Sequence, residues 1–356
     1  MKPKIRILVV DDSAFMRKAL TSIIQSDPEL EVISTARNGE EAIEKVLSLR
    51  PDLITLDIDM PRLDGLQVLK IIMEKSPVQV LMVSSLTEEG AQTTLDALEL
   101  GAVDFIPKNL GDIALNIVKI KEELTSKIKS IVRQKIISNH LKDPKVPSAA
   151  TRIYRYVSPD SRSASAQRVK TVAIGTSTGG PKALNEIIPS LPKDIPLSIL
   201  VVQHMPAVFT GAFAKRLNSI SQVEVKEAEE KDIVRPGLVL IAPGNSHMKV
   251  IKRKPMEVSI ELSKEPRNTL HIPSVDITMS SVAEVFTETS AGIILTGMGN
   301  DGTEGIRKIK MHNGRTFAQS EETCIVFGMP RNAINEGIID KVIHLHNIAG
   351  EIVKIA

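Results

Sequence analysis

Two sets of residues in this chain have the types and spacing for chemistry. In the first third, Asp11 and Asp12 end an apolar run, IRILVV, while Asp57 ends a second, LITLD, with Asp59 two residues on. If these runs are neighbouring strands of an open parallel sheet, their carboxyl ends meet at one edge, where ligands bind. Three carboxylates converging there repel one another unless a cation joins them, and hard oxygen ligands with room for water suit Mg²⁺. Ser84 ends a further run, VQVLMVS, and Lys108 closes another, DFIP. A hydroxyl and an ammonium at the same edge are suited to a phosphoryl group. An isolated Asp-Asp pair would be ordinary strand-end decoration. Acid, hydroxyl and ammonium recurring at the ends of successive runs predict a pocket.

The second set begins at TVAIGTSTGGP, where Ser177 lies between Gly175 and Gly179 at the junction of an apolar run and a helix start. The segment lacks the Lys and the spacing of a phosphate-binding loop and fits the G-x-S-x-G nucleophile turn, although that pentapeptide also occurs as a plain Gly-rich connection. A nucleophilic Ser needs a base, and seven histidines compete for the role. His140 lies in a linker-like stretch, His312 near a helix end, and His344 and His346 alternate with apolar residues. His204 differs, because it terminates SILVVQH, the next apolar run after the Ser. Asp301, just past AGIILTGM, is the carboxylate that would orient its imidazole. All three then sit at carboxyl ends of parallel strands, which supports a Ser–His–Asp reading. The chain order Ser, His, Asp argues against an α/β-hydrolase, which runs Ser, acid, His. With Asp276 as the acid, the later histidines remain formally open.

The elements that must hold these residues follow from periodicity. From residue 5 to about 137, IRILVV, VISTA, LITLDI, VQVLMVSS and DFIP alternate with amphipathic stretches whose apolar residues recur every three or four positions. Such alternation predicts a doubly wound parallel sheet. Residues 138–168 are rich in Ser, Ala and Pro without a sustained period, the composition of a linker. From 169 the alternation resumes, so residues 169–356 read as a second doubly wound α/β domain. VEVKEA, LVLIAPG, KVIKRK and EVSIEL within it suggest a meander or hairpins.

Composition narrows the class. The chain has 356 residues, about two domains at ~150 residues each. Lys plus Arg is 45 against Asp plus Glu 43, Trp is absent, and Tyr and Phe number 2 and 7, which disfavours a nucleic-acid reader. The single Cys324 cannot form an intrachain disulfide, which fits a reducing compartment. No apolar run approaches the roughly 20 residues that span a bilayer. A cytoplasmic protein without direct membrane insertion is expected.

Residues 1 to about 125 resemble a response-regulator receiver domain, in DDSAFMR, LITLDIDMPRLDG, MVSS and GAVDFIPK. The resemblance implies a flavodoxin-like fold and makes Asp57 the phosphoacceptor. Asp11, Asp12, Asp57 and the main-chain carbonyl of Asp59 would hold Mg²⁺, Ser84 and Lys108 would contact the phosphoryl group, and Phe105 would be the aromatic whose packing changes on activation. The family's Lys is commonly followed by Pro, where this chain has Asn109. Residues 169–350 resemble the catalytic domain of chemotaxis protein-glutamate methylesterases, in AIGTSTGGP, QHMPAVFTGAFAKRLN, IAPGNSHM, HIPSVD, ILTGMGNDG and FGMPRNAI. That resemblance implies a Rossmann-like domain in which Ser177 is nucleophile, His204 base and Asp301 its orienting partner. The Met298 amide would stabilise the oxyanion, and Thr178 would border the site. In HIPSVD, Ile272 stands where Arg is usual, so a contact at the substrate edge is expected to differ. The implied function is a phosphorylation-regulated esterase, without a cofactor for the esterase step. It would demethylate methyl-accepting chemotaxis receptors, and the same machinery could deamidate their glutamines, with the chemotaxis histidine kinase as phosphodonor. The competing reading is a receiver-controlled receptor-docking module without significant catalysis.

Overall fold

The computed structural model describes residues 3–108, 113–141, 168–254 and 257–356. The chain divides into two compact units, Met1–Ile136 and Ile137–Ala356.

In the first unit, strands and helices alternate as β1 (Ile5–Val10), α1 (Ala14–Gln25), β2 (Leu30–Ala36), α2 (Gly39–Leu49), β3 (Leu53–Asp57), α3 (Gly65–Lys75), β4 (Gln79–Ser84), α4 (Glu88–Glu99), β5 (Asp104–Pro107) and α5 (Ile113–Leu141). Every strand pairing is parallel, in the order β2-β1-β3-β4-β5, which is the flavodoxin-like arrangement. Strands β1, β3 and β4 are almost wholly buried, as expected where helices cover both faces. Helix starts follow from local chemistry: Ser13, Asn38 and Thr87 each accept from an amide in the first turn, and Asp64 with Gln67 forms a full capping box. Helix α5 runs to Leu141, so Ser138–Leu141 continue a helix rather than open the linker expected from 138. The rest of that stretch, 142–167, lies outside the described residues.

The second unit runs β6 (Thr171–Thr176), α6 (Gly180–Ile187), β7 (Ser198–Gln203), α7 (Ala207–Ile220), β8 (Glu224–Glu227), β9 (Leu238–Ile241), β10 (His247–Lys254), β11 (Glu257–Ser263), α8 (Val275–Phe286), β12 (Ser290–Ile294), α9 (Thr303–Met311), β13 (Arg315–Gln319), α10 (Met329–Asn335), β14 (Lys341–Ile343) and α11 (Leu345–Ile355). Its seven-stranded sheet is parallel throughout, in the order β14-β13-β12-β6-β7-β9-β8. The expectation of hairpins holds for β10 and β11, an antiparallel pair, and fails for β8 and β9. Those two are neighbours in the main sheet, running the same way, because residues 228–237 cross over between them.

Helix α8 ties this unit together. Val275, Met279, Val282 and Ala283 pack among Ile294, Ile306 and Ile309 on the sheet side and Met248, Val250 and Ile260 from the hairpin. The helix lies so close to β6 that a Cβ on Gly175 would occupy the space of the Val275 Cγ atoms. Gly175→Ala should therefore destabilise the protein by ~1–3 kcal/mol in urea titrations. Adding Val275→Ala should recover part of that loss. Additive losses in the double variant would show that α8 does not approach β6 this closely.

Candidate functional site

At the carboxyl edge of the first sheet, Asp11 follows β1 and Asp57 ends β3, on either side of the point where the strand order reverses. Both are fully buried and Asp12 is exposed, yet ligand oxygens of the three lie within 4.8 Å of one another. Lys108 Nζ stands 2.5 Å from Asp57 Oδ2 and 3.3 Å from Asp11 Oδ2, and neither oxygen has another hydrogen-bond partner. The remaining oxygens accept amides, Asp11 Oδ1 from Ser13 at 2.9 Å and Asp57 Oδ1 from Asp59 at 3.1 Å. Burial pushes the Asp57 carboxyl up to about 6, the charge on Asp11 adds to that, and Lys108 opposes it. Burial likewise raises Asp11.

One ammonium against three carboxylates leaves excess negative charge in a place where charge is costly. The donor set is all oxygen, so these residues fit a hard divalent cation such as Mg²⁺. The Asp59 carboxylate turns aside, to the Ser85 hydroxyl at 3.4 Å. Ser84 is buried, and its hydroxyl is engaged by α4: Thr94 Oγ1 donates to it at 2.7 Å, and it lies 3.4 Å from the Gly90 carbonyl. Reaching a phosphoryl group requires breaking those contacts. Phe105 is buried, with Lys127 Nζ 6.0 Å from its ring centre. Asn109 lies outside the described residues.

In the second sheet the strand order reverses between β6 and β12, and Ser177 and Asp301 lie on the connections that leave those strands. His204 follows β7, on the other side of β6. Its Nε2 meets Asp301 Oδ2 at 2.8 Å, with both side chains more than nine-tenths buried. The other nitrogen, Nδ1, is buried and has no partner. No hydrogen bond links it to the Ser177 hydroxyl, and catalytic hydrogen bonds commonly close only around the substrate. Gly297 packs directly on Ser177, a Cβ there falling 2.9 Å from the Ser177 Cβ, and this carries Met298 to the edge of the serine turn. Thr178 is buried with Oγ1 unpaired, and its carbonyl accepts from Thr296 Oγ1 at 2.9 Å.

The Asp301 carboxylate is set on the start of α8. It accepts from the Ser274 hydroxyl at 2.9 Å and from the amides of Val275 and Asp276 at 2.8 and 3.0 Å, in addition to His204. These donors and His204 outweigh burial and hold Asp301 well below the usual carboxylate range. Asp276 repays the arrangement: its Oδ1 accepts from Gly302 and Gly305, capping α9, the helix that follows Asp301. Burial pushes Asp276 up to about 6, and the neighbouring Asp301 charge contributes.

Several participants carry no mark in the sequence. The His271 ring stacks on His204 with centres 4.0 Å apart. Gln203, buried, donates through Nε2 to the carbonyls of both Ser177 and His204 at 3.0 Å. His247 is structural: its ring accepts the Ser274 amide at 3.1 Å and meets the Pro266 carbonyl at 3.1 Å, and burial pushes it down. His344 pairs with Ser320 at 2.6 Å and stacks on His346.

Two family models match the chain, a CheB methylesterase model over residues 172–352 and a response regulator receiver domain model over residues 7–118. The protein-glutamate methylesterase/protein-glutamine glutaminase of Halalkalibacterium halodurans is 46% identical over 354 residues, covering 99% of each chain. The protein of the same name from Pyrococcus horikoshii is 47% identical over 354 residues, covering 99% of this chain and 94% of its own. Among solved structures, the Thermotoga maritima CheB methylesterase catalytic domain matches with a TM-score of 0.52 and 44% identity, over 53% of this chain and 100% of its own.

The electrostatics of the first edge set a measurable expectation. Mg²⁺ titrated into the protein should bind at one site by calorimetry, and Asp12→Ala should weaken that binding. The Asp57 carboxyl, followed by carbon-13 NMR without metal, should ionise near pH 6. Lys108→Met should move the midpoint up, because it removes the group that opposes burial, and Mg²⁺ should move it down. A midpoint indifferent to both changes would refute the pocket.

Proposed function

Because the chain belongs to the CheB methylesterase family, with a receiver domain ahead of the hydrolase, we propose that it hydrolyses glutamate γ-methyl esters on methyl-accepting chemotaxis receptors through Ser177, His204 and Asp301. The observation that carries the assignment is the buried His204–Asp301 pair at 2.8 Å beside the serine turn. Asp301, charged at neutral pH, accepts a hydrogen bond from Nε2–H, which keeps the proton on Nε2 and leaves Nδ1 unprotonated as the base. Ser177 Oγ attacks the ester carbonyl while its proton passes to Nδ1. The tetrahedral oxyanion is stabilised by the Met298 amide at the edge of the turn, with Thr178 bordering the substrate. Collapse returns the proton from Nδ1 to the departing methoxide, so methanol leaves and an acyl-enzyme remains. Water, deprotonated by the same nitrogen, then releases the glutamate. A glutamine side chain would follow the same course with ammonia as leaving group.

In the receiver, Asp57 is proposed to take a phosphoryl group from the chemotaxis histidine kinase. Asp11, Asp12, Asp57 and the Asp59 carbonyl would hold Mg²⁺, which supplies charge neutralisation during transfer. Lys108, already against Asp57, would meet the phosphoryl oxygens, and Ser84 would join after leaving Thr94. Phosphorylation of the receiver then governs the esterase of 169–356, with the segment after α5 as connection. Among the described residues no helix is long and apolar enough to cross a membrane, and we place the reaction at the cytoplasmic part of the receptors. No observation favours a docking module without catalysis.

Ser177→Ala, His204→Ala and Asp301→Ala should each lower kcat by ~10⁴-fold or more, with double variants little worse than the worst single one. Methanol release from methylated receptor membranes measures this, and near-normal turnover in His204→Ala would sink the triad. A small phosphodonor with Mg²⁺ should raise the rate of the full chain roughly five- to hundredfold. Asp57→Asn should remove that response while leaving the basal rate.

A further inference from the structure

Gln203, the last residue of β7, joins the nucleophile to its base in a way the reaction above does not use. Ser177 and His204 each lie one position beyond the paired residues Thr176 and Gln203, where the ladder between β6 and β7 ends. Its last rung is the His204 amide on the Thr176 carbonyl at 3.1 Å. Beyond that rung the two chains turn into separate connections, and the Gln203 side chain is what spans them. Its Nε2 donates one hydrogen to the Ser177 carbonyl and the other to the His204 carbonyl, both at 3.0 Å. The amide cannot be reversed, because Oε1 would then face two carbonyl oxygens.

The placement is costly in two respects. Gln203 is 2% exposed, and its Oε1 is buried without a hydrogen-bond partner. That oxygen also fills the space where a Cβ on residue 180 would go, which restricts the position to Gly180. The Gly180 amide in turn donates to the Ser177 carbonyl at 2.8 Å, so this carbonyl is gripped from two directions. Packing alone would be served better by an apolar side chain of the same length, with no orphaned oxygen. What the amide adds is a pair of donors aimed at the main chain of the two residues whose side chains must meet.

We propose that Gln203 is a positioning residue that fixes the Ser177 main chain against that of His204, so that Oγ and Nδ1 come into line when an ester binds. The inference rests on the hydrolase reading above. Gln203 touches neither substrate nor the reacting atoms, and it acts only through the alignment of His204 with Ser177.

Two variants of the full chain test it. Gln203→Met keeps length and bulk and removes both donors, and Gln203→Glu keeps shape and removes at least one. Each is assayed on a small methyl ester for kcat and KM, with thermal denaturation alongside, and Gln203→Met is repeated in a His204→Ala background. The expected result is a kcat loss of ~10- to 100-fold with KM nearly unchanged, since misplacement of reacting groups by about 1 Å costs on that order. In the His204→Ala background the loss should vanish, because alignment to an absent base has no value. Unchanged kcat in folded Gln203→Met, with only a lower melting temperature, overturns the proposal in favour of packing, as does an equal loss in both backgrounds. If Gln203→Met does not fold, the kcat of Gln203→Glu decides on the same terms. Full activity in His204→Ala alone would instead overturn the hydrolase reading, so the two failures are told apart.

Discussion

A carboxylate taken out of water must find compensation for every lost hydrogen bond or give up its charge. Asp301 keeps its charge because four donors converge on it: the His204 ring, the Ser274 hydroxyl and the first two amides of α8. Much of the second unit is arranged to make that possible. Helix α8 must start at this spot, so its apolar face must pack between sheet and hairpin, so Gly175 must leave room for Val275. The residue that would ordinarily cap the helix, Ser274, gives its hydroxyl to Asp301 instead.

The two sheet edges solve one electrostatic problem in opposite directions. Both lie where strand order reverses in a parallel sheet, and both bury carboxylates there. On the first edge Asp57 has an ammonium and an amide but no helix start, and burial prevails, pushing it up to about 6. That suits the nucleophile proposed here, whose compensation a metal ion would complete. On the second edge main-chain amides and a helix dipole do the compensating, and Asp301 goes down. That suits the role proposed for Asp301, which is to stay ionised while the imidazole beside it gains and loses a proton.

The sequence shows the chemistry of both edges with unusual directness, because apolar runs stop at Asp11, Asp57, Ser84, Ser177 and His204, and strand ends are where a doubly wound sheet places its ligands. Asp301 is readable for the same reason, lying one loop past an apolar run. Met298, Thr178 and the phosphoacceptor role of Asp57 came only through family resemblance, since nothing in their local pattern sets them apart. Gln203, His271, Ser274 and Thr94 are not legible at all: each matters through a neighbour 10 to 67 positions away or through the next residue's carbonyl, and periodicity carries no such information. The pairing of β8 with β9 is not legible, because two short runs separated by turn residues look alike whether the chain reverses or crosses over. Helix α5 outran its expected end because Ser138, Asn139 and His140 have weak helical preference and are carried by the preceding turns.

Asp301 caps α8 and Asp276, from α8, caps α9, so each helix start is closed by a side chain belonging to the other's approach. On the proposed reaction, selection acts on Asp301 twice, once for turnover and once for the integrity of the fold. In a lineage that had lost its esterase, the fold would still hold this aspartate in place, while Ser177 could lose its hydroxyl at little structural cost. Retention of the acid is thus poor evidence that a descendant still catalyses anything, and decay of function should first be read at the serine.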